Sequence, residues 1–308
     1  MNNINVESVT NVNVRKGPLV SVGIPTYNRP EGLRRTIEGI RHQTHTNLEI
    51  IVSDNCTPGD EIQKIMTEYL KKDSRIQFYR QVENRGPLFN FEFVLAKATG
   101  EFFVWAADDD EWKEQYIEKC LDEFFTHPNL VLCYSEALKK GHSEHEDQIL
   151  WSDLSTVGLK RICGIKKILI NQYRNIEFYG LLKTRIVRLY QFENSFGEDQ
   201  IFILFLALQG EIGKTIPGLF INGPGFAGTS SEKTVNSLGI HKINIYFGYI
   251  FLIINTIRML LKYNFSLNSW EKCLIIGFIF RKSLTKRYIL AVTQGMVLLI
   301  RDTINRIC

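Results

Sequence analysis

From residue 19 to residue 135 the sequence alternates short, continuous apolar runs with longer segments whose apolar residues recur at helical spacing. Between two such runs, for example, PEGLRRTIEGIRHQ places Leu33, Ile37 and Ile40 on one helical face. Strands that are apolar on both faces must be covered on both faces, and strands joined through helices run parallel. We therefore predict an α/β fold with a mostly parallel, Rossmann-like central sheet. The predicted strands are LVSVGI, LEIIVSD, RIQFYR, EFFVWAA and LVLCYS.

The pattern is less regular after residue 135. Residues 136–160 are polar, and we expect them to form an excursion across the sheet edge. A helix over 164–173, a strand over 177–183 and a helix over 198–210 follow.

The net charge of +4 is unevenly distributed along the chain. From residue 241 onward ten Lys or Arg stand against two Asp or Glu, whereas the first 240 residues carry twenty-seven against thirty-one. This basic tail contains the apolar segment NIYFGYIFLIINTIRMLLKY, in which Asn255 and Arg258 interrupt a stretch too short for a bilayer crossing. The tail is either a helical cap on the α/β domain or an interfacial helix pair on an anionic membrane surface; its wide apolar face favours the membrane.

These features suggest three regions. Residues 1–17 are polar and are expected to be a disordered lead-in, residues 18–225 form the α/β domain, and residues 226–308 form a helical, apolar and basic, membrane-associating extension. The N-terminus lacks the apolar centre of a secretory signal, and six scattered cysteines include no C-x-x-C pair. We expect reduced thiols and a cytoplasmic protein, peripheral on the inner face of the cell membrane.

Polar side chains follow three predicted strands where each strand ends, and these carboxyl ends share one rim of a parallel sheet. The first strand leads into Pro25, Thr26 and Tyr27, the second into Asp54, and the fourth into the triplet at 108–110. Tyr27 could simply cap a helix, Asp54 could be a turn residue, and the triplet could be a solvated helix start.

The acidic triplet, Asp108, Asp109 and Asp110, argues for a ligand. Adjacent carboxylates resist burial unless a cation neutralises them, and Trp105 and Trp112 on either side indicate a partly dry rim. Mg²⁺ and Mn²⁺ are commonly held by one or two carboxylates together with substrate phosphates. We therefore expect a metal–diphosphate site with Mn²⁺ or Mg²⁺. The chain has no P-loop, no G-x-G-x-x-G after the first strand and no G-x-S-x-G elbow.

Four segments resemble the family 2 inverting glycosyltransferases of GT-A fold, of the bacterial surface-glycan type. They are VSVGIPTYNRPEGLRRTIEGIRHQTHTNLEIIVSDN, ENRG at 83–86, ATGEFFVWAADDDEW, and FGEDQIF at 196–202. The resemblance covers residues 18–220, with the segments in the family's order.

The resemblance implies roles for individual residues. Pro25, Thr26, Tyr27 and Asp54 would hold the nucleotide base, and Asp108 would lie near the ribose or sugar. Asp109 would ligate the metal, with Asp110 as a further ligand. Asp199, with Glu198 beside it, resembles the general base; a plain helix cap is its alternative role. Arg29 and Arg85 are the basic residues expected to bind the donor.

Three positions depart from the family pattern. Ala107 stands where many members have the first Asp of D-x-D, and Phe91 and Glu92 stand where many have Arg-Asn. The His that often follows the segment matching LFING is missing.

The expected function is metal-dependent, inverting transfer of a sugar from a nucleotide diphosphate to a hydroxyl of a glycan or lipid-linked acceptor. A UDP-sugar is the favoured donor and a dTDP-sugar the alternative; no nucleic acid is expected as a partner. Two other functions stay open. One is a catalytically silent nucleotide-sugar-binding or scaffold subunit at the membrane, and the other is a nucleotidyltransferase.

Overall fold

The computed structural model describes residues 17–139, 148–150, 152–171, 176–195, 197–221 and 243–283. Within this part of the chain eleven strands form two sheets. The strands are β1 (Val20–Thr26), β2 (Leu48–Asp54), β3 (Ile76–Arg80), β4 (Phe102–Trp105), β5 (Glu111–Trp112), β6 (Leu130–Tyr134), β7 (Ala137–Lys139), β8 (Gln148–Leu150), β9 (Leu181–Lys183), β10 (Glu211–Lys214) and β11 (Phe220–Ile221).

The central sheet has seven strands in the order β10-β6-β9-β4-β1-β2-β3. Neighbours pair in parallel, except that β9 runs antiparallel to both β4 and β6. The carboxyl ends of β1, β2 and β4 therefore meet at one rim, where Thr26 lies opposite Asp54 in the ladder. This sheet confirms the predicted α/β class with a mostly parallel, Rossmann-like sheet.

Nine α-helices cover the central sheet in the described part of the chain, and buried residues form one core on each of its faces. On one face, α1, α2 and α4 supply residues such as Leu33, Ile65 and Ile117 to the core. On the other, α3, α5, α7, α8 and α9 supply residues such as Val94 and Phe202. The helices are α1 (Pro30–Arg41), α2 (Glu61–Lys72), α3 (Gly86–Lys97), α4 (Tyr116–Thr126), α5 (Arg161–Asn171), α6 (Thr184–Val187), α7 (Glu198–Gln209), α8 (Ile243–Lys262) and α9 (Ser269–Ser283).

A second, four-stranded sheet has the order β5-β11-β7-β8. The expected irregular excursion over 136–160 thus includes two short antiparallel strands, β7 and β8. Because β5 directly follows the acidic triplet, the triplet spans the gap between the two sheets. Both ends of the triplet are consequently fixed.

The strand predicted over 177–183 is only partly present. Residues Ile176–Tyr179 form a 3-10 turn, and extended structure begins at Leu181. The turn stacks the ring of Phe178 on Trp105, with centroids 4.7 Å apart and planes 15° apart, and buries Glu177. Aromatic packing thus overrides the apolar run that predicted a strand.

The described part of the C-terminal extension is helical, as predicted, and packs on the α/β core. Leu252 and Met259 of α8 and Ile275 of α9 are buried in the same cluster as α5 and α7. Neither α8 nor any other helix in the described ranges has the length and hydropathy that a membrane crossing needs. The proposed boundary at 225/226 and residues 1–16 of the predicted lead-in lie outside the described residues.

Candidate active site

Helix α1 holds the backbone of the acidic triplet at the rim. The Thr36 hydroxyl donates to the carbonyl oxygens of Ala107 and Asp110, at 2.9 and 3.0 Å. Pro30 in the first turn and the buried side chains of Leu33 and Thr36 seat this helix against the sheet. Asp108 and Asp110 are buried as a result.

Asp108 connects the end of β4 to the end of β1. Its Oδ2 accepts hydrogen bonds from the Thr26 hydroxyl at 2.9 Å and from the Tyr27 backbone N–H at 3.3 Å. Burial raises the pKa of Asp108 to about 6, although Arg29 and Thr26 oppose that rise. The structure therefore brings together Thr26, Tyr27, Arg29 and Asp108, with Pro25 buried in β1 beneath them.

Arg29 lies in front of two acids of the triplet. Its Nη1 is 3.3 Å from Asp108 Oδ1 and 2.7 Å from Asp109 Oδ2. The Arg29 side chain is 34% exposed and that of Asp109 only 10%, so a guanidinium partly in water neutralises a nearly buried carboxylate. The pair borders a cavity of about 300 Å³ lined by Arg29, Pro30, Glu31, Gly32, Arg35, Asp108 and Asp109.

The triplet fits a divalent ion that is shared with a substrate. Its carboxylates are hard oxygen donors, and Arg29 shows that they attract positive charge at this position. Within the described residues, however, no three His, Cys, Asp or Glu side chains are grouped to hold a metal ion. Mg²⁺ commonly takes one or two carboxylates and completes its shell with phosphate and water. Asp109, with Asp110 beside it, fits that arrangement.

Asp54 is buried at the end of β2. Its Oδ1 accepts the Thr57 backbone N–H at 3.0 Å, as in a turn, which was the alternative role considered for this residue. Its Oδ2 accepts no hydrogen bond from the described residues and lies 3.7 Å from Arg80 Nη1. One oxygen thus shapes the turn while the other keeps acceptor capacity.

Arg85 lies at the same rim, before α3, with its guanidinium 3.8 Å from the ring centroid of Phe89.

Asn90 stabilises the rim by hydrogen bonding. Its amide donates to the carbonyl oxygens of Ser53 and Thr26, at 2.8 and 3.3 Å, and thereby joins the ends of β1 and β2.

Asp199 and the acidic triplet both raise the pKa of Tyr179. Burial raises the pKa of Tyr179 well above its ordinary value, and the charges of Asp110, Asp109, Asp199 and Asp108 raise it further. Asp199 itself, in the first turn of α7, has a pKa raised chiefly by burial. The rings of Trp105, at the end of β4, and Phe202 on α7 lie with their centroids 6.0 Å apart, so the acid-bearing strand packs against the helix that carries Asp199.

The Glu198 carboxylate binds the segment that precedes α7. Its carboxylate accepts hydrogen bonds from the hydroxyls of Tyr190 and Ser195 and from the Glu193 backbone N–H, at 2.6–2.8 Å. All three donors belong to the segment that precedes α7.

Two contributors to the site were missed by the sequence reasoning. Tyr179 lies in the strand predicted over 177–183, where the pattern indicated no chemical role, and Phe192 lies in a segment without helical or strand periodicity. Phe192 packs edge-on against Trp105, with ring centroids 5.8 Å apart, and in a tilted arrangement against Phe202 of α7, with centroids 5.0 Å apart. The aromatic pairs thus connect the strand that carries the acids with the helix that carries Asp199.

Comparison with known proteins agrees with this geometry. Two solved structures share the fold at low sequence identity. TarS of S. aureus in complex with UDP-GlcNAc has a TM-score of 0.63 and 15% identity over 90% of this chain and 79% of that chain. The mannosyltransferase PcManGT of Pyrobaculum calidifontis, in complex with GDP-Man and Mn²⁺, has a TM-score of 0.56 and 14% identity over 92% of this chain and 85% of that one. The GT-A fold is thereby confirmed.

Relatives in sequence come from bacterial surface-glycan synthesis. TuaG of Bacillus subtilis, named for teichuronic acid biosynthesis, is 33% identical over 34% of this chain and 41% of its own length. The GalNAc(5)-diNAcBac-PP-undecaprenol beta-1,3-glucosyltransferase of Campylobacter jejuni is 31% identical over 61% of this chain and 64% of its own length. The chain thus spans less than two thirds of either relative.

A family model matches more than half of the chain. Described as "Glycosyl transferase family 2", it covers residues 21–179, from β1 through Tyr179. The match includes the rim residues of β1, β2 and β4. The chain therefore belongs to glycosyl transferase family 2.

Proposed function

We propose that this protein is a metal-dependent, inverting glycosyltransferase that moves a sugar from a nucleotide diphosphate to a hydroxyl of a glycan or lipid-linked acceptor. The observation that carries the proposal is the acidic rim at the end of β4, where Asp108 and Asp109 lie 3.3 and 2.7 Å from Arg29. The packing of Trp105 on Phe202, with centroids 6.0 Å apart, sets the strand that leads to these acids against the helix that carries Asp199. A single displacement requires a leaving-group site and a base, and we assign these roles to the rim and to Asp199.

The donor's nucleoside would lie at the ends of β1 and β2. Tyr27 offers an exposed ring to the base there, and Asp54, which is fully buried, would support the base site through the turn at Thr57 that its Oδ1 holds. A UDP-sugar is the preferred donor, since two solved neighbours are complexes with UDP and UDP-GlcNAc. Arg85, on the same rim, would face the diphosphate.

The leaving diphosphate would lie against Arg29 and the triplet. A divalent ion on Asp109, with Asp110 as a further ligand, supplies Lewis-acid stabilisation of the departing phosphate when it is bound. Arg29 adds a second positive charge, and it can exchange its bond to Asp109 for a phosphate oxygen. Asp108 holds Tyr27 and Thr26 at the positions where ribose would lie.

Asp199 would act as the general base. It takes the proton from the acceptor hydroxyl as that oxygen bonds to the anomeric carbon and the diphosphate leaves from the opposite face. Because burial raises its pKa, Asp199 is a stronger base than an exposed aspartate. A positioned base contributes about 10²–10⁴-fold in rate.

The outer face of the C-terminal helices supports a location at the membrane and a lipid-linked acceptor. Leu261 at the end of α8 and Trp270 at the start of α9 are 79% and 71% exposed, and Arg258 lies exposed on α8. An apolar and basic face of this kind suits the anionic inner surface of a cell membrane, where a lipid-linked acceptor would be presented. The Campylobacter relative is named for an undecaprenol-linked acceptor.

The decisive experiment incubates the full-length protein with a panel of nucleotide sugars and Mn²⁺. Release of nucleoside diphosphate with formation of a glycoside of inverted configuration supports the proposal. Donor binding without turnover would instead indicate a silent subunit, and pyrophosphate release a nucleotidyltransferase.

Membrane association is tested with vesicles of anionic and zwitterionic lipid. The protein should co-sediment with the anionic vesicles, and the double variant L261S/W270S should lose this binding. The matched control, Leu70→Ser, changes a half-exposed leucine on α2. Equal recovery of the wild type from both vesicle types would overturn the membrane assignment.

A further inference from the structure

The segment of residues 190–195 precedes the first turn of α7 and is held by Glu198. Tyr190 donates its hydroxyl to Glu198 Oε1 at 2.8 Å, and the Glu193 N–H donates to the same oxygen at 2.8 Å. Ser195 donates to Oε2 at 2.6 Å. Because both oxygens accept hydrogen bonds from this segment, the carboxylate is not directed at a reacting hydroxyl.

Helix α8 holds the same segment from its outer side. The Gln191 N–H donates to the Tyr263 hydroxyl at 2.8 Å, just beyond the end of α8. The rings of Tyr190 and Tyr263 are parallel within 15°, with centroids 6.0 Å apart. Lys262 Nζ lies 3.3 Å from Glu193 Oε1. The segment therefore has fixed partners on both α7 and α8.

The turn into α7 is itself closely packed. Gly197 has a φ of +73°, which favours glycine, and a Cβ added there would lie 2.8 Å from Leu252 Cδ1 of α8. On the inner side, Phe192 packs against Trp105 at the end of β4. Residues 190–195 are thus packed between β4, which leads into the acidic triplet, and α8.

We propose that Glu198 is a positioning residue and that, together with Tyr263, it fixes residues 190–195 and so sets the placement of Asp199 opposite the acidic triplet. The role differs from the catalytic one that the sequence suggests for Glu198. It rests on the proposed function of Asp199 as the general base. Since Asp199 follows Glu198 directly in α7, a change in the anchor moves the base, and a displacement of about 1 Å can cost about 10²-fold in rate.

The first test compares Glu198→Ala with Glu198→Gln. Glutamine keeps an oxygen that accepts from Tyr190 and Glu193, whereas it cannot act as a base. We expect Glu198→Ala to lower kcat about 10- to 100-fold with the donor KM unchanged, and Glu198→Gln to retain kcat within about threefold of the wild type. A Gln variant as inactive as the Ala variant would show that Glu198 takes part in the chemistry and would overturn the proposal.

The second test does not depend on turnover. Hydrogen exchange at the amides of Gln191 and Glu193 should accelerate in Glu198→Ala, and exchange at Gln191 should accelerate in Tyr263→Phe, which removes only a hydroxyl. The matched control, Glu123→Ala on α4 at the opposite face of the sheet, should leave both amides unchanged.

These outcomes separate the two proposals. If the wild type transfers no sugar yet the exchange pattern is as expected, the function is wrong while the anchoring of the segment stands. If Glu198→Ala leaves both amides and kcat unchanged, and Tyr263→Phe leaves the Gln191 amide unchanged, the positioning role is wrong.

Discussion

Gly32 of α1 packs directly against the backbone of Asp108. A Cβ added at Gly32 would lie 1.9 Å from the Asp108 carbonyl oxygen, closer than atoms approach one another. The helix that follows PTYNR therefore touches the first acid of the triplet without an intervening side chain. The close approach of α1 to the triplet depends on this contact.

Gly32→Ala should disturb the rim. The added methyl group must push α1 away from the triplet, and overpacking of this kind costs about 1–3 kcal/mol of unfolding free energy. Urea unfolding should show this loss, and calorimetry should show weaker UDP binding. As a control, Gly277→Ala on α9 has no atom within 4 Å of the new Cβ. That variant should keep or slightly gain stability, as Ala favours helix by about 1 kcal/mol. Unchanged stability and UDP affinity in Gly32→Ala would contradict the close contact.

Asp199→Asn should abolish transfer and leave donor binding intact. The amide cannot accept the acceptor's proton, so the rate should fall by about 10²–10⁴-fold. The substitution does not touch the proposed nucleotide site at the ends of β1 and β2, so UDP affinity measured by calorimetry should not change. The control is Asp122→Asn on α4, which removes an exposed carboxylate paired with Lys119. An active Asn variant would remove Asp199 from the mechanism.

Removal of divalent ions should slow transfer, and added Mn²⁺ should restore it. Because Asp109 is the expected protein ligand, Asp109→Asn should raise the Mn²⁺ concentration needed for half-maximal UDP binding about tenfold or more. Fluorescence or calorimetric titration of UDP at several Mn²⁺ concentrations measures this without turnover. Asp122→Asn again serves as the control for loss of one negative charge. UDP binding that is indifferent to both Mn²⁺ and Asp109 would contradict a shared metal–diphosphate site.

Asp73 should stabilise the fold in a pH-dependent way. Hydrogen bonding from Arg75, together with Arg41, holds the pKa of Asp73 at about 2, below its ordinary value of 3.8. A lowered pKa in the folded state gives stability that is present above about pH 4 and is lost as the pH falls towards 2. Asp73→Asn should therefore lower the unfolding free energy by about 2 kcal/mol at pH 7, and the difference should shrink between pH 4 and pH 3. A difference that stays constant over that range would rule out this ion pair as its source.

Much of the fold could be predicted because local and long-range signals agree. Leu33, Ile37 and Ile40 are spaced for a helix, and all three are buried against the sheet in α1. The 3-10 turn at Ile176–Tyr179 was not predicted, since it is determined by stacking of Phe178 on Trp105. The second sheet was not predicted either, because β5 and β11 have only two residues each and so show no strand pattern.

The candidate site could be predicted only in part, for a similar reason. Thr26 and Asp54 end strands, Tyr27 and Asp108 come soon after strands, and parallel pairing alone brings strand ends together. The orientation of side chains was not readable: Glu198 and Asp199 are adjacent in sequence, yet one binds residues 190–195 and the other lies near Tyr179. Arg29 was predicted to bind the donor; its bond to Asp109 depends on the turn at Asn28, where φ is +56°.

Because Met259, Phe265 and Ile275 fill the same apolar interior as Phe202 and Phe205, the segment from α8 to α9 cannot be trimmed as a detachable anchor. A truncated chain would expose that interior and aggregate, and its altered fractionation would report misfolding rather than lost attachment. Only single substitutions on the outward surface of these helices can separate membrane attachment from folding.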